Sequence, residues 1–251
     1  MVEMLLGIGI GIFSVFYVMS KSGLLGLLFN FEAFVLVFGG TVGSTVITYP
    51  LKILINSVKA VIVALFGMKK YRPSAVIREI VGLSEKVRTS GMFGVQAELN
   101  KMDKFLRDGI QMIIDGMDPE IIRENLQKEI VFTRKRHEQI ISVFRSMGTY
   151  APIFGLLGTL LGVVQVLKNI TDVKSLGTSM ALAVTTTLYG IFFANFIFLP
   201  LAGKLESQSE EELLIKEVMI EGILSIQKGE IPIIVSKRLE AFFSQKHRTS
   251  K

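Results

Sequence analysis

Three hydroxyls stand in otherwise apolar surroundings: Thr159 in GLLGTLLG (155–162), and Thr186 and Thr187 in AVTTTLYG (183–190). A hydroxyl oxygen can coordinate a partly dehydrated cation, and its proton can be donated elsewhere. Within a membrane helix the alternative is that each threonine bonds a carbonyl of its own preceding turn and does nothing further. Three hydroxyls at similar depth on two neighbouring helices leave both readings open, a lined ion path and three separate local bonds. No Asp, Glu, Lys, Arg or His falls within 34–50, 147–167 or 180–201, and Glu3 and Glu32 stand near span edges. Intramembrane proton relays and coupling-ion sites are built from such groups. A path through this chain therefore needs a carboxylate supplied by a partner helix.

The elements that must position these hydroxyls are long apolar segments. Half of the 251 residues are hydrophobic. The uncharged run from Tyr150 to Leu167 is long enough to cross a hydrocarbon core. Gly155, Gly158 and Gly162 lie along one stripe of it, and the Gly158/Gly162 spacing lets two membrane helices approach backbone to backbone. The expected fold is an all-α integral membrane protein with four transmembrane helices at 2–19, 34–50, 147–167 and 180–201. A cytoplasmic helical domain fills 51–146, and C-terminal cytoplasmic helices follow at 202–251. The first span carries Glu3 where a signal peptide would be basic, and it has no small-residue cleavage site, so it reads as a retained helix. Its Gly7, Gly9 and Gly11 have no Lys-Ser/Thr after them and read as packing positions, not a phosphate loop.

Charge sets the orientation. Residues 52–146 hold 17 Lys/Arg against 11 Asp/Glu, whereas the tail after 202 balances at 8 of each. The basic residues cluster beside span ends, at Lys52, Lys59, Lys69, Lys70 and Arg72 and again at Arg134, Lys135, Arg136 and Arg145. The positive-inside rule then makes the long loop and both termini cytoplasmic, with short external connections at 20–31 and 168–178. No basic cluster is interleaved with aromatics, which argues against nucleic acid as a partner.

Within the long loop Val76, Ile80, Leu83 and Val87 recur at helical spacing, and Gly91 ends that helix. Leu99, Met102, Leu106, Ile110, Ile113 and Met117 form a second stripe. Asp118-Pro119-Glu120 is an N-cap, a proline at the first helical position and an early acid, so a third helix starts there. His137 lies among charges and reads as solvated, with no second metal ligand one turn away. The chain has no cysteine, no phosphate-binding loop, no H-E-x-x-H and no G-x-S-x-G, so an enzyme is not expected, nor any bound cofactor.

APIFGLLGTLLG (151–162), TTLYG (186–190) and RTSGMFGVQAE (88–98), together with the four-span pattern, resemble the MotA/PomA family of flagellar stator proteins, more distantly related to ExbB and TolQ. The resemblance covers essentially the whole chain. It implies an inner-membrane channel subunit that self-associates into a ring in contact with lipid. A MotB-like single-span partner would supply an intramembrane aspartate, and cation flow would become torque on the rotor protein FliG. It further implies that Thr159, Thr186 and Thr187 face that aspartate, and that Pro152 and Pro200 couple ion passage to movement of the cytoplasmic domain. Arg88 matches a charged rotor-contacting residue. Its acidic companion in the family falls on Gln96, with Glu98 two residues further; Glu98 substitutes for it or the contact differs. The transported cation is Na+ or H+, and the threonine pair followed by LYG resembles the sodium-type members. The other readings are an ExbB/TolQ-like energising subunit, disfavoured by the fourth span, and a non-conducting membrane scaffold.

Overall fold

A computed structural model describes residues 2–21, 30–66, 73–96, 98–99, 102–168 and 171–243. Residues 22–29 of the connection expected at 20–31, Lys69, Lys70 and Arg72 of the basic cluster, residues 169–170 and the basic end at 246–251 lie outside the described residues. The described residues are almost wholly helical, with no strand among them. They form α1 (Val2–Lys21), α2 (Phe31–Thr48), α3 (Leu51–Phe66), α4 (Pro73–Ser90), α5 (Lys104–Ile114), α6 (Pro119–Lys168), α7 (Val173–Phe192), α8 (Leu199–Gln227) and α9 (Pro232–Glu240).

Local chemistry sets most of the boundaries. Asn30 caps α2 by accepting from the Ala33 amide at 3.0 Å, and Asp103 caps α5 by accepting from the Phe105 amide at 2.9 Å. Pro50 forces the residue before it into extended backbone, and Tyr49 accordingly ends α2 at φ −120° and ψ 141°. Gly91, Gly116 and Gly229, at φ 71°, 77° and 68°, follow α4, α5 and α8 in the left-handed conformation that glycine adopts without penalty. Pro119 opens α6, as its sequence signature indicates.

The chain divides into two compact units. The first comprises residues 1–68 and 138–206 and holds the apolar helices. Phe31–Thr48 and the apolar windows of the two long helices Pro119–Lys168 and Leu176–Gln227 are each long and apolar enough to cross a membrane; α1 contributes a shorter apolar stretch, Gly9–Val18. Their outward side chains are largely uncovered, and Ile47 is 88% exposed. The buried cluster of this unit is small: Ile141, Phe144, Ala151, Ala194, Phe198 and Ala202. α3 packs here, with Val61 against that cluster, although the sequence groups it with the cytoplasmic segment 51–146.

The second unit, residues 69–137 and 207–251, has a larger core that includes Ile77, Ile80, Leu106, Ile110, Leu126 and Ile223. The apolar stripe of the sequence is only partly one helix. Leu106, Ile110 and Ile113 lie on α5, but Leu99 and Met102 precede it.

Two helical stretches carry an extra residue per turn. Val35–Gly39 within α2 and Phe193–Phe198 between α7 and α8 are π-helical. The second lies just before Pro200. Proline has no N–H and crowds the carbonyl four residues back. The Leu199 amide instead reaches Ala194 O, five residues back, and this widened turn carries the chain into Pro200 without a break. Phe193 joins the two π segments, with its ring centroid 6.0 Å from Phe34 and 5.7 Å from Phe38.

Candidate ion-path wall and its glycine seam

α6 and α7 meet along a seam of glycines and backbone. A side-chain carbon added at Gly155 would lie 2.9 Å from Thr186 O and 3.3 Å from Gly190 Cα. At Gly190 it would lie 2.7 Å from Ala151 O and 3.1 Å from Pro152 Cα, and at Gly162 it would lie 2.8 Å from Ser179 O. Real Cβ atoms do not approach backbone this closely, so only glycine permits the contact. At Gly158 the added carbon would overlap the side chain of Thr186 itself.

Thr186 is 0% exposed, and its hydroxyl donates to Ala183 O at 2.9 Å. Thr187, half-buried, donates to the same carbonyl at 3.4 Å. Thr159, half-buried on the flank of the seam, donates to Leu156 O at 2.5 Å. All three protons are thus held by their own helix, which leaves the oxygens as acceptors. An acceptor-only oxygen suits a cation. Thr186 is closed over by Gly158, so the partly exposed oxygens belong to Thr159 and Thr187.

The structure places Pro152 beside this seam. Pro152 lies inside continuous α6, with its Cα against Gly190. Leu199, next to Pro200, packs on Gly148, where an added carbon would lie 2.7 Å from Leu199 Cδ2. Proline at 152 leaves Gly148 O without its usual helical donor.

Hydroxyls missed by the sequence reading tie α2 to α6. Tyr49 OH donates to Ser142 O at 3.0 Å and lies 2.8 Å from Ser146 Oγ, while Thr48 Oγ1 lies 3.0 Å from Tyr150 OH. At the far end of α2, Tyr189 OH accepts the Asn30 amide at 3.4 Å. For Tyr49 and Tyr150 the signal available in the sequence was their placement near span ends; Tyr189 is mid-span and gave none. Asn195, also missed, is an exposed amide on the π segment, donating to Ile191 O at 2.9 Å. Glu32, expected at the mouth of the second span, stands on the first turn of α2.

In the second unit, Arg88 is exposed on the last turn of α4, and Gln96 is exposed at the end of a single turn, Phe93–Gln96. Glu98 is engaged: Lys86 Nζ donates to both of its carboxylate oxygens at 2.7 Å. His137 corrects the sequence expectation. It is half-buried, not solvated, with Nδ1 2.8 Å from Ser209 Oγ. Burial holds its pKa below the usual value, with Lys216 and Arg136 acting the same way and Glu212 opposing. Among the described residues no cluster of three His, Asp or Glu side chains could hold a metal ion.

Residues 97–218 match the MotA/TolQ/ExbB proton channel family. "Motility protein A" of Borreliella burgdorferi is 40% identical over 185 residues, covering 73% of this chain and 71% of that one. "Chemotaxis protein PomA" of Vibrio alginolyticus is 32% identical over 244 residues, covering 97% and 96%. The chain belongs to the MotA/PomA family. The flagellar MotAB stator complex of Bacillus subtilis contains a chain with the same fold, at TM-score 0.84 and 30% identity, covering 95% of this chain and 96% of that one. The glycine seam and its threonines lie within the residues that match that family.

Proposed function

We infer that this chain is a stator subunit of the bacterial flagellar motor. It is an integral protein of the inner membrane with four spans, both termini on the cytoplasmic side, and it forms the wall of a cation path. Copies of it surround a MotB-like partner whose intramembrane aspartate supplies the charge that this wall lacks at depth. Thr159 and Thr187 offer acceptor oxygens to Na+ or H+, and Thr186 keys α7 into α6. An elementary charge crossing 100 mV releases about 2.3 kcal/mol, enough to bias a step between two packings of helices. Pro152 and Pro200 are the points at which that step bends the wall. Arg88, exposed at the end of α4, meets the rotor protein FliG. No covalent change is made to any substrate.

The observation that carries this reading is the seam itself: glycines press two helices together in a MotA-type chain and fix three threonine hydroxyls with their protons already given away. Replacing Thr159 and Thr186 together by alanine in a motile host is the test. The stator reading predicts a large loss of swimming torque, and unchanged torque would favour a non-conducting scaffold.

A further inference from the structure

Over its described length α3 falls short of a bilayer crossing, and its outer side is too apolar for water. Its 16 residues rise about 24 Å, short of the roughly 30 Å of a hydrocarbon core. One face is packed: Ser57 is buried and gives its hydroxyl to Ile53 O, and Val61 lies on the cluster that includes Ile141 and Phe144. The opposite face exposes Leu51, Ile55, Val58 and Ile62, which at i, i+4, i+7 and i+11 form one continuous stripe. Lys52 and Lys59, seven residues apart, are exposed along the edge of that stripe.

The level of α3 is fixed from two sides. It follows α2 after only Tyr49 and Pro50, so it starts where the candidate span stops. The cluster it packs on lies beside the Arg145–Glu206 ion pair, at 2.5 Å, which joins the two long helices where their uncharged stretches begin. Hydrogen bonding to Glu206 holds the Arg145 pKa above its usual value, so the guanidinium stays charged. A helix at that level with an apolar stripe and flanking lysines lies in the membrane surface, its stripe among acyl chains and its ammonium groups reaching back to the headgroups.

We propose that the Lys52/Lys59 edge of α3 binds the phosphate of anionic phospholipids at the cytoplasmic surface. The occupant is lipid and not a soluble anion, because the lysines border an exposed apolar stripe at the level where the candidate span ends, which suits acyl chains beside a headgroup. This rests on α2 crossing the membrane and not on the stator reading, so it can fail while that reading stands.

The chain contains no tryptophan, so Ile55→Trp, at a position 56% exposed, gives a single reporter on the stripe. The full chain carrying it is reconstituted in bilayers of brominated phosphatidylglycerol or brominated phosphatidylcholine, and quenching gives the relative affinity of the two lipids. Quenching by both lipids is expected, with phosphatidylglycerol preferred, and the preference should fall about fivefold for each of Lys52→Gln and Lys59→Gln. Lys128→Gln, on the second unit, should leave it unchanged. Absence of quenching would overturn the proposal by placing the stripe outside the bilayer. A preference that survives both substitutions would overturn the lysine assignment. Displacement of phosphatidylglycerol by inorganic phosphate at matched ionic strength would make the ligand a soluble anion and overturn it as well.

Discussion

The side chain of Thr186 occupies the space that Gly158 leaves open, and nothing larger than hydrogen fits at 158 while it does. That relationship ties the hydroxyls to the helix packing. Gly158→Ala should therefore disturb α6 against α7, costing about 1–3 kcal/mol if the core cannot relax. Gly43→Ala, where an added carbon meets nothing within 4 Å, should be neutral or slightly stabilising. Thermal stability of the two variants in detergent, with swimming speed alongside, separates them. Equal behaviour would mean that the seam is not tight.

Hydroxyl and shape can be separated at the threonines. Thr187→Val and Thr159→Val keep the branched shape and remove oxygens that are partly exposed, so cation flux in the presence of the partner should fall with little change in stability. Thr186→Val removes an oxygen sealed under Gly158 and should reduce flux least of the three. Ion flux in reconstituted vesicles is the measurement, and a larger loss at Thr186 than at Thr159 would reverse the assignment.

For the rotor contact, Arg88→Glu should abolish torque while leaving the protein folded and membrane-inserted. The Lys86–Glu98 pair is about half exposed on both sides, so Glu98→Gln should change stability by less than about 1 kcal/mol. If Glu98 itself meets the rotor, it must first leave Lys86, and Lys86→Gln should then raise torque in a bead-rotation assay. Torque unaffected by Arg88→Glu would remove this surface from the account.

His137 makes a pH prediction. Its folded pKa is lowered by burial, so the unfolded chain binds the proton more readily. The stability this contributes is present above the unfolded value near 6.5 and is lost as pH falls through the folded pKa. Melting temperature should drop on acidification from pH 7 and flatten in His137→Gln. Glu79 has the opposite sign. Burial, and then Asp103, raises its pKa, so its contribution is lost as pH rises through the folded value, and Glu79→Gln should stabilise the protein at neutral pH.

Local pattern made much of this fold legible. The helix starting at Pro119, the stop at Gly91 and the apolar stripe of α4 follow from spacing and cap chemistry within a few residues. What escaped depends on partners distant in sequence. His137 meets Ser209 72 residues later, Lys86 closes on Glu98 only after the chain turns at Gly91, and Tyr49 finds Ser146 97 positions on. The π turns escaped for another reason. The widening before Pro200 is a response of the backbone to proline inside a packed helix, and hydrophobic periodicity carries no trace of it. The glycines were visible, but that Gly158 covers Thr186 and so withdraws it from any path could be read only from the packed pair.

This wall should conduct only when a partner helix brings a carboxylate. Cation uptake into vesicles should be measured with the full chain alone, with its MotB-like partner, and with that partner's intramembrane Asp replaced by Asn. Uptake is predicted only in the second case. Substantial uptake by the chain alone, or undiminished uptake with the neutralised partner, would contradict it.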